Sequence, residues 1–150
     1  MRSNFVTNLM LVTGLFILSV CITSCMTAKK KKASEQNKPL TETYWIMTHV
    51  KGETIAKSVI PPTIVFGTDG RYSGNTGCNE YYGTYHSRKD KITMSFEGAT
   101  KRLCKNMKVE KLFLQNLHAE YRRYEIRKDT LYLMDTQGEV LRFIAGVKPE

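Results

Sequence analysis

The side chains with chemistry to offer are four cysteines, three histidines, a group of tyrosines and an asparagine, Asn79, that follows Cys78 directly. A nucleophile needs a base beside it and a third group to orient that base. His49, His86 and His118 are scattered, none next to a carboxylate at triad spacing, and Ser58, Ser73, Ser87 and Ser95 lie in no nucleophile motif. No catalytic residues can be assembled, so the expectation is a protein that is not an enzyme. Metal sites draw on ligands at short fixed spacing, and the sequence has no Cys-x-x-Cys and no histidine at ligand spacing. Met47, Met94 and Met134 fall in strand-like runs, where soft apolar packing accounts for them without copper. Neither metal nor cofactor is expected. Gly74, Gly77 and Gly83 lack the order of a phosphate-binding loop and read as backbone freedom. Asparagine tolerates left-handed backbone and bonds its own chain, so holding a corner is the default role of Asn79. Tyr72, Tyr81, Tyr82 and Tyr85 crowd the same stretch. Most of them suit cross-strand packing, and a subset suits a recognition surface.

The stretch that must position these residues is Ile60 to Tyr85. Thr63, Val65 and Gly67 alternate with Ile64, Phe66 and Thr68, the period of a half-buried strand. Thr68-Asp69-Gly70 supplies a hairpin turn, and Arg71 to Asn75 returns antiparallel. A glycine-bracketed corner then delivers Cys78 and Asn79 to a fixed place. Elsewhere Tyr44–Val50 is strand-like with an impure period, and Tyr81–His86 is a short aromatic strand. Lys91–Glu97 alternates throughout, with Ile92, Met94 and Phe96 on its core face. After Cys104 the period becomes helical. Asn106 is a plausible N-cap, and Val109, Leu112, Phe113 and Leu117 recur on one side, with Lys108, Glu110, Lys111 and Gln115 on the other. Tyr121–Arg127, Thr130–Met134 and Val140–Ile144 return to strand character across Lys128-Asp129 and Asp135–Gly138 turns. The expected fold is mainly antiparallel β with one α-helix, about seven short strands in a strongly curved, small barrel-like sheet.

The chain's start has a different composition. Arg2 precedes an apolar run from Leu9 to Ile22, shorter than the roughly 20 residues of a membrane span, which reads as the hydrophobic region of a secretory signal. Ile22-Thr23-Ser24-Cys25 resembles the lipobox of bacterial lipoproteins, which makes residues 1–24 a lipoprotein signal peptide and Cys25 the lipidated first mature residue. Residues 25–40 carry a run of four lysines and almost nothing to bury, the composition of a flexible tether. Directly behind a lipid anchor, those lysines suit anionic headgroups better than nucleic acid. The formal charge of +9 for the whole chain falls to +4 over residues 41–150, where 17 Lys and Arg face 13 Asp and Glu. No nucleic-acid partner is expected from that balance. Residues 41–150 are one domain's worth of chain.

PPTIVFGTDGRYSGNTGCNEYYGTY resembles the core motif of the META domain, the family of the bacterial heat-shock protein HslJ. The likeness takes in Trp45 and Gly52, Thr100 and Cys104, and the closing pattern of Leu131, Leu133, Asp135, Gly138, Leu141 and Phe143. It spans about Thr43 to Ile144. In that family an apolar residue is common where Arg102 stands. The resemblance implies a small barrel-like sheet with one helix and a link to stress.

Signal processing sorts the cysteines. Cys21 leaves with the signal, Cys25 takes the lipid, and Cys78 and Cys104 remain as a pair in a disulfide-permissive compartment. Two thiols or a metal pair are the competing readings. A bridge closes a loop of about 27 residues, worth roughly 3.5 kcal/mol in the chain-entropy model. The expected protein sits in the cell envelope, at the outer membrane because Met26 and not aspartate follows Cys25, facing the periplasm. It works by binding an envelope protein, with Asn75, Asn79, Tyr81 and Tyr82 as the candidate surface. The alternative is a lipocalin-like barrel with a small apolar ligand or lipid inside. Full packing of the interior favours the first reading, and a large apolar cavity the second.

Overall fold

The computed structural model describes residues 36–56, 60–105, 107–117 and 123–149. The signal segment, Cys21, Cys25, the lysine run, Ser58, Asn106, His118 and Tyr121 lie outside the described residues. In chain order the elements are β1 (Tyr44–Val50), β2 (Glu53–Thr54), β3 (Thr63–Phe66), β4 (Arg71–Asn75), β5 (Glu80–Arg88), β6 (Lys91–Ala99), α1 (Lys108–Leu117), β7 (Arg123–Arg127), β8 (Thr130–Met134) and β9 (Glu139–Gly146). They form one sheet in the order β6-β5-β4-β3-β1-β9-β8-β7, with β2 added to β1. Every one of these strand pairs is antiparallel.

Mainly antiparallel β with one helix is thus the architecture of the described residues. The expectation of about seven strands in a partly closed barrel is corrected to nine strands in an open sheet. A barrel needs a continuous ladder between its first and last strands. Here the two end strands meet at one corner. The Tyr124 N–H donates to the Asp90 carbonyl at 2.7 Å, and Arg123 pairs with Asp90 at 3.1 Å. Asp90 belongs to the turn before β6, and no ladder pairs β6 with β7 among the described residues.

The hairpin at Asp69-Gly70 forms as the sequence indicates, although of that pair only Gly70 takes a positive φ, 79°. Asp69 Oδ1 caps the turn by accepting the Arg71 N–H at 3.0 Å. In β1 a register shift between Met47 and His49 explains the impure period, and it lets Trp45, Met47 and Val50 all point inward. Rows of facing residues cross the sheet. One inner row runs Trp45, Ile64, Gly74, Tyr81, Ala99, and another runs Phe66, Tyr72, Gly83, Phe96. Within these rows large rings sit over glycines. A Cβ at Gly74 would meet the Thr63 carbonyl and the Tyr81 hydroxyl, and one at Gly83 the Ser95 carbonyl and the Tyr72 ring. Gly74 and Gly83 therefore provide room, whereas Gly77, with φ of 91°, provides the backbone conformation that sequence reasoning assigned to all three.

Helix α1 lays Phe113 and Leu117 into the core, and Phe113 meets Tyr81 edge-on at 5.3 Å between ring centroids. Ile92 is buried on β6, and Met94 and Phe96 are partly buried against the same core.

Candidate binding surface

The corner between β4 and β5 is held from inside. Asn75 Oδ1 accepts the Gly77 N–H at 2.7 Å, and the Thr76 hydroxyl oxygen accepts the Asn79 N–H at 2.8 Å. These bonds satisfy backbone groups that a tight turn would otherwise leave without partners. The Asn79 amide then joins three segments. Its Oδ1 accepts from the Thr100 hydroxyl at 2.8 Å and the Arg102 N–H at 2.6 Å, and its Nδ2 donates to the Arg102 carbonyl at 3.1 Å and to Glu110 Oε1 at 2.8 Å. The Thr76 hydroxyl donates to the same Glu110 oxygen at 2.7 Å. Asn79 is 3% exposed and Glu110 5%. The carboxylate is thus an internal strut between helix and corner, with its Oε2 lacking a hydrogen-bond partner among the described residues.

Placing Glu110 on the solvent side of the helix is therefore corrected. Glu110, Phe113 and Leu117 share one helical face by their spacing. The periodicity was readable, but a carboxylate is seldom buried, and the polar identity concealed it.

Cys78 and Cys104 form a disulfide, with Cα atoms 6.1 Å apart. The bridge ties the corner to the segment leading into α1, as the cysteine count predicts. The loop from Thr100 to Cys104 is consequently held at three points, at Thr100 by Asn79 and the Glu80 backbone, at Arg102 by Asn79 and at Cys104 by the bridge.

The four surface candidates separate. Asn79 is interior. Tyr81 is 1% exposed and donates its hydroxyl to the Thr63 carbonyl at 2.7 Å, which makes it a core residue. Tyr82, the next residue on the strand, points outward and is 49% exposed. Asn75 is half-buried. Tyr82 and Asn75 line a groove of about 640 Å³ on the outer face of the sheet, with Tyr44, Val65, Ser73 and Lys148 among its other walls. Gly98 lies beneath the Tyr82 ring, where a Cβ would come within 3.1 Å of the Tyr82 hydroxyl.

Two other tyrosines have displaced acidities. Burial, with the Glu97 charge as a lesser cause, pushes the Tyr72 hydroxyl up to about 12. Burial also raises that of Tyr85, followed by the charge of Asp69 and by Tyr124. The Tyr85 hydroxyl donates to the Gly67 carbonyl at 2.6 Å, whereas that of Tyr72 has no partner among the described residues. His49 engages the hydroxyls of Thr48 and Thr54 through its two ring nitrogens, at 3.0 and 3.1 Å. Among the described residues no group of three or more His, Cys, Asp and Glu side chains is arranged to hold a metal ion.

An antiparallel sheet with one helix pinned to a glycine corner by a disulfide and a buried asparagine defines a small β domain with a rigid edge. A META domain profile matches residues 38–148, and the chain belongs to the META domain family. Two solved structures share the fold. One, described as the NMR structure of the protein from Burkholderia xenovorans, is 23% identical, with a TM-score of 0.55 over 73% of this chain and 85% of that one. The other, also an NMR structure, is 20% identical, with a TM-score of 0.52 over 68% and 88% of the two chains. No curated protein matches.

Proposed function

We infer that the chain is a non-catalytic lipoprotein of the cell envelope, anchored through Cys25 at the periplasmic side of the outer membrane, that binds another envelope component through the outer sheet face around Tyr82 and Asn75. The observation that carries this reading is Tyr82, half exposed in a groove on a face whose backbone is fixed on both sides by neighbouring strands. A rigid aromatic at a preformed groove loses little conformational freedom on association. The family resemblance supports a stress-linked role. The alternative of an apolar ligand held inside the sheet is disfavoured by the interior itself, where Trp45, Phe66, Tyr72, Tyr81, Phe113 and Phe143 are each at most 2% exposed.

The test is Tyr82→Ala in a strain lacking the chromosomal copy. Tyr82 contributes little to the core, so the variant should fold with unchanged stability and lose the partner recovered by crosslinking from the envelope. Full complementation by a stable Tyr82→Ala protein refutes the contact role. Mass spectrometry of the mature N-terminus tests the anchor separately, and an unmodified Cys25 refutes that part.

A further inference from the structure

A second groove, of about 1040 Å³, lies between β6 and α1, lined inside by Phe96 and Leu114, with Leu103 and Met107 on its exposed rim and Lys101 and Lys111 flanking it. Its rim has a single sign of charge. Lys101, Arg102, Lys105, Lys108 and Lys111 are all exposed, and the sequence from Thr100 to Val109 contains no acidic residue. The nearby carboxylates are engaged or elsewhere. Glu110 is buried against Asn79 and Thr76, Glu97 pairs with Arg71, and Glu80 lines the Tyr82 groove.

Leu103 stands out in this setting. It is 94% exposed, with Met107 next to it at 37%. An exposed leucine on a loose loop would be unremarkable. This one sits between two fixed neighbours, since the Arg102 backbone is clamped on both sides by Asn79 and Cys104 is bridged to Cys78. The corner network therefore holds an apolar side chain out into solvent within a ring of cations.

We propose that this loop docks on an anionic lipid bilayer, with Leu103 and Met107 entering the headgroup boundary and Lys101, Arg102, Lys105 and Lys111 meeting lipid phosphates. Apolar side chains inserted among cationic ones are the combination that seats peripheral proteins at a membrane interface. A bilayer also demands no shape match from an open groove. The buried Glu110 carboxylate, whose Oε2 has no hydrogen-bond partner among the described residues, opposes an anionic headgroup penetrating to the groove floor, which keeps the contact shallow. Such docking gives the domain a set orientation on the membrane. It is independent of which partner the Tyr82 face takes.

The experiment places a probe in the loop of the full-length chain. Leu103→Trp adds an exposed indole to a protein whose sole natural tryptophan, Trp45, is buried. The protein is incorporated into vesicles of phosphatidylcholine, with or without phosphatidylglycerol, so that any anchoring at the N-terminus is common to both arms. The expected result is a blue-shifted emission quenched by brominated lipid only where phosphatidylglycerol is present, and lost in high salt. Adding Lys101→Gln, Lys105→Gln and Lys111→Gln should weaken that docking by about fivefold per cation removed, or on the order of a hundredfold together. Thermal unfolding of each variant confirms that the fold persists. Emission that is identical in the two lipid mixtures overturns the proposal. So does a blue shift produced equally by monomeric oleate without vesicles, which would make the groove a site for free amphiphiles.

Discussion

Replacing Asn79 with alanine should be among the most damaging single changes available on the polar side of this domain. The amide makes four hydrogen bonds to oxygen or nitrogen partners, at 2.6 to 3.1 Å, and three of them go to the Thr100–Arg102 segment. Thr100 and Arg102 are exposed, so their groups regain water in the variant and each bond lost there costs about 1 kcal/mol or less. The fourth goes to Glu110 Oε1 inside the protein, where losing a donor to a charged group costs roughly 1.5–3 kcal/mol. The sum, about 3–6 kcal/mol, is a large share of the 5–15 kcal/mol typical of a small domain. Urea unfolding without reductant measures it, and an unchanged slope shows that stability and not compactness has moved. Asn79→Asp sharpens the test. It keeps the acceptor for Thr100 and Arg102 but sets a second carboxylate 2.8 Å from Glu110. Two such groups hold one proton between them at low pH and repel when both ionise. The folded state of this variant then binds more protons than the unfolded one, so its stability falls as pH rises through the carboxylate range. Adding Glu110→Gln restores an amide facing a carboxylate with the roles exchanged, and should recover about 2 kcal/mol at neutral pH. A loss below about 1 kcal/mol in Asn79→Ala, or no recovery in the double variant, refutes the assignment of Asn79 as the tie between corner and helix.

Three other outcomes follow from the same contacts. Tyr72→Phe removes a buried hydroxyl that has no partner among the described residues and should be neutral or stabilise by about 1 kcal/mol in chemical denaturation. Because the Tyr72 hydroxyl is raised from 10.0 to about 12 in the fold, the unfolded chain ionises first. Stability is therefore complete below pH 10.0 and declines as pH rises towards 12, and alkaline unfolding of Tyr72→Phe should lie at higher pH than that of the parent. Replacing both Cys78 and Cys104 with alanine should cost roughly 3.5 kcal/mol, seen as a shift in the non-reducing unfolding midpoint, and reductant should then have no further effect. Gly83→Ala should destabilise by about 1–3 kcal/mol in the same assay, since its methyl group meets the Ser95 carbonyl and the Tyr72 ring.

The strands were legible because their signals are local. Thr130–Met134 and Arg71–Asn75 are set by alternation and by turn residues at their ends, Tyr44–Val50 by its apolar content despite an impure period, and each lies where the sequence places it. The cysteine pair was legible by counting. The openness of the sheet was not, because it depends on whether the end strands meet, which no local pattern encodes. Two-residue β2 gave no periodic signal at all.

The binding surface divides along the same line. Alternation requires that one of Tyr81 and Tyr82 face outward, but which one is fixed by register. Tyr81 stands opposite Gly74 and over α1, where there is room for a buried ring, and Tyr82 is left on the other face beside Ser73 and Gly98. Asn79 was singled out for its position after Cys78, and its role as corner holder needs partners from Thr100, Arg102 and Glu110, between 21 and 31 residues away. Of those partners only Thr100 belongs to the family pattern, and no local spacing joins any of them to Asn79. A buried amide with both ends used is poorly suited to contact anything outside, so its value to recognition is indirect. It fixes the strand end that carries Tyr82 on one side and the loop that carries Leu103 on the other. If that is so, Asn79→Ala at a temperature where it remains folded should weaken lipid docking of a Leu103→Trp probe more than it changes the Tyr82 contact. Tyr82 is braced along its length by pairing with β4 and β6, whereas Leu103 lies outside any strand, in a loop held at Thr100 by Glu80 and Asn79, at Arg102 by the same amide and at Cys104 by the disulfide. Equal losses at both surfaces would show instead that the corner acts as one body, with no separate control of the loop.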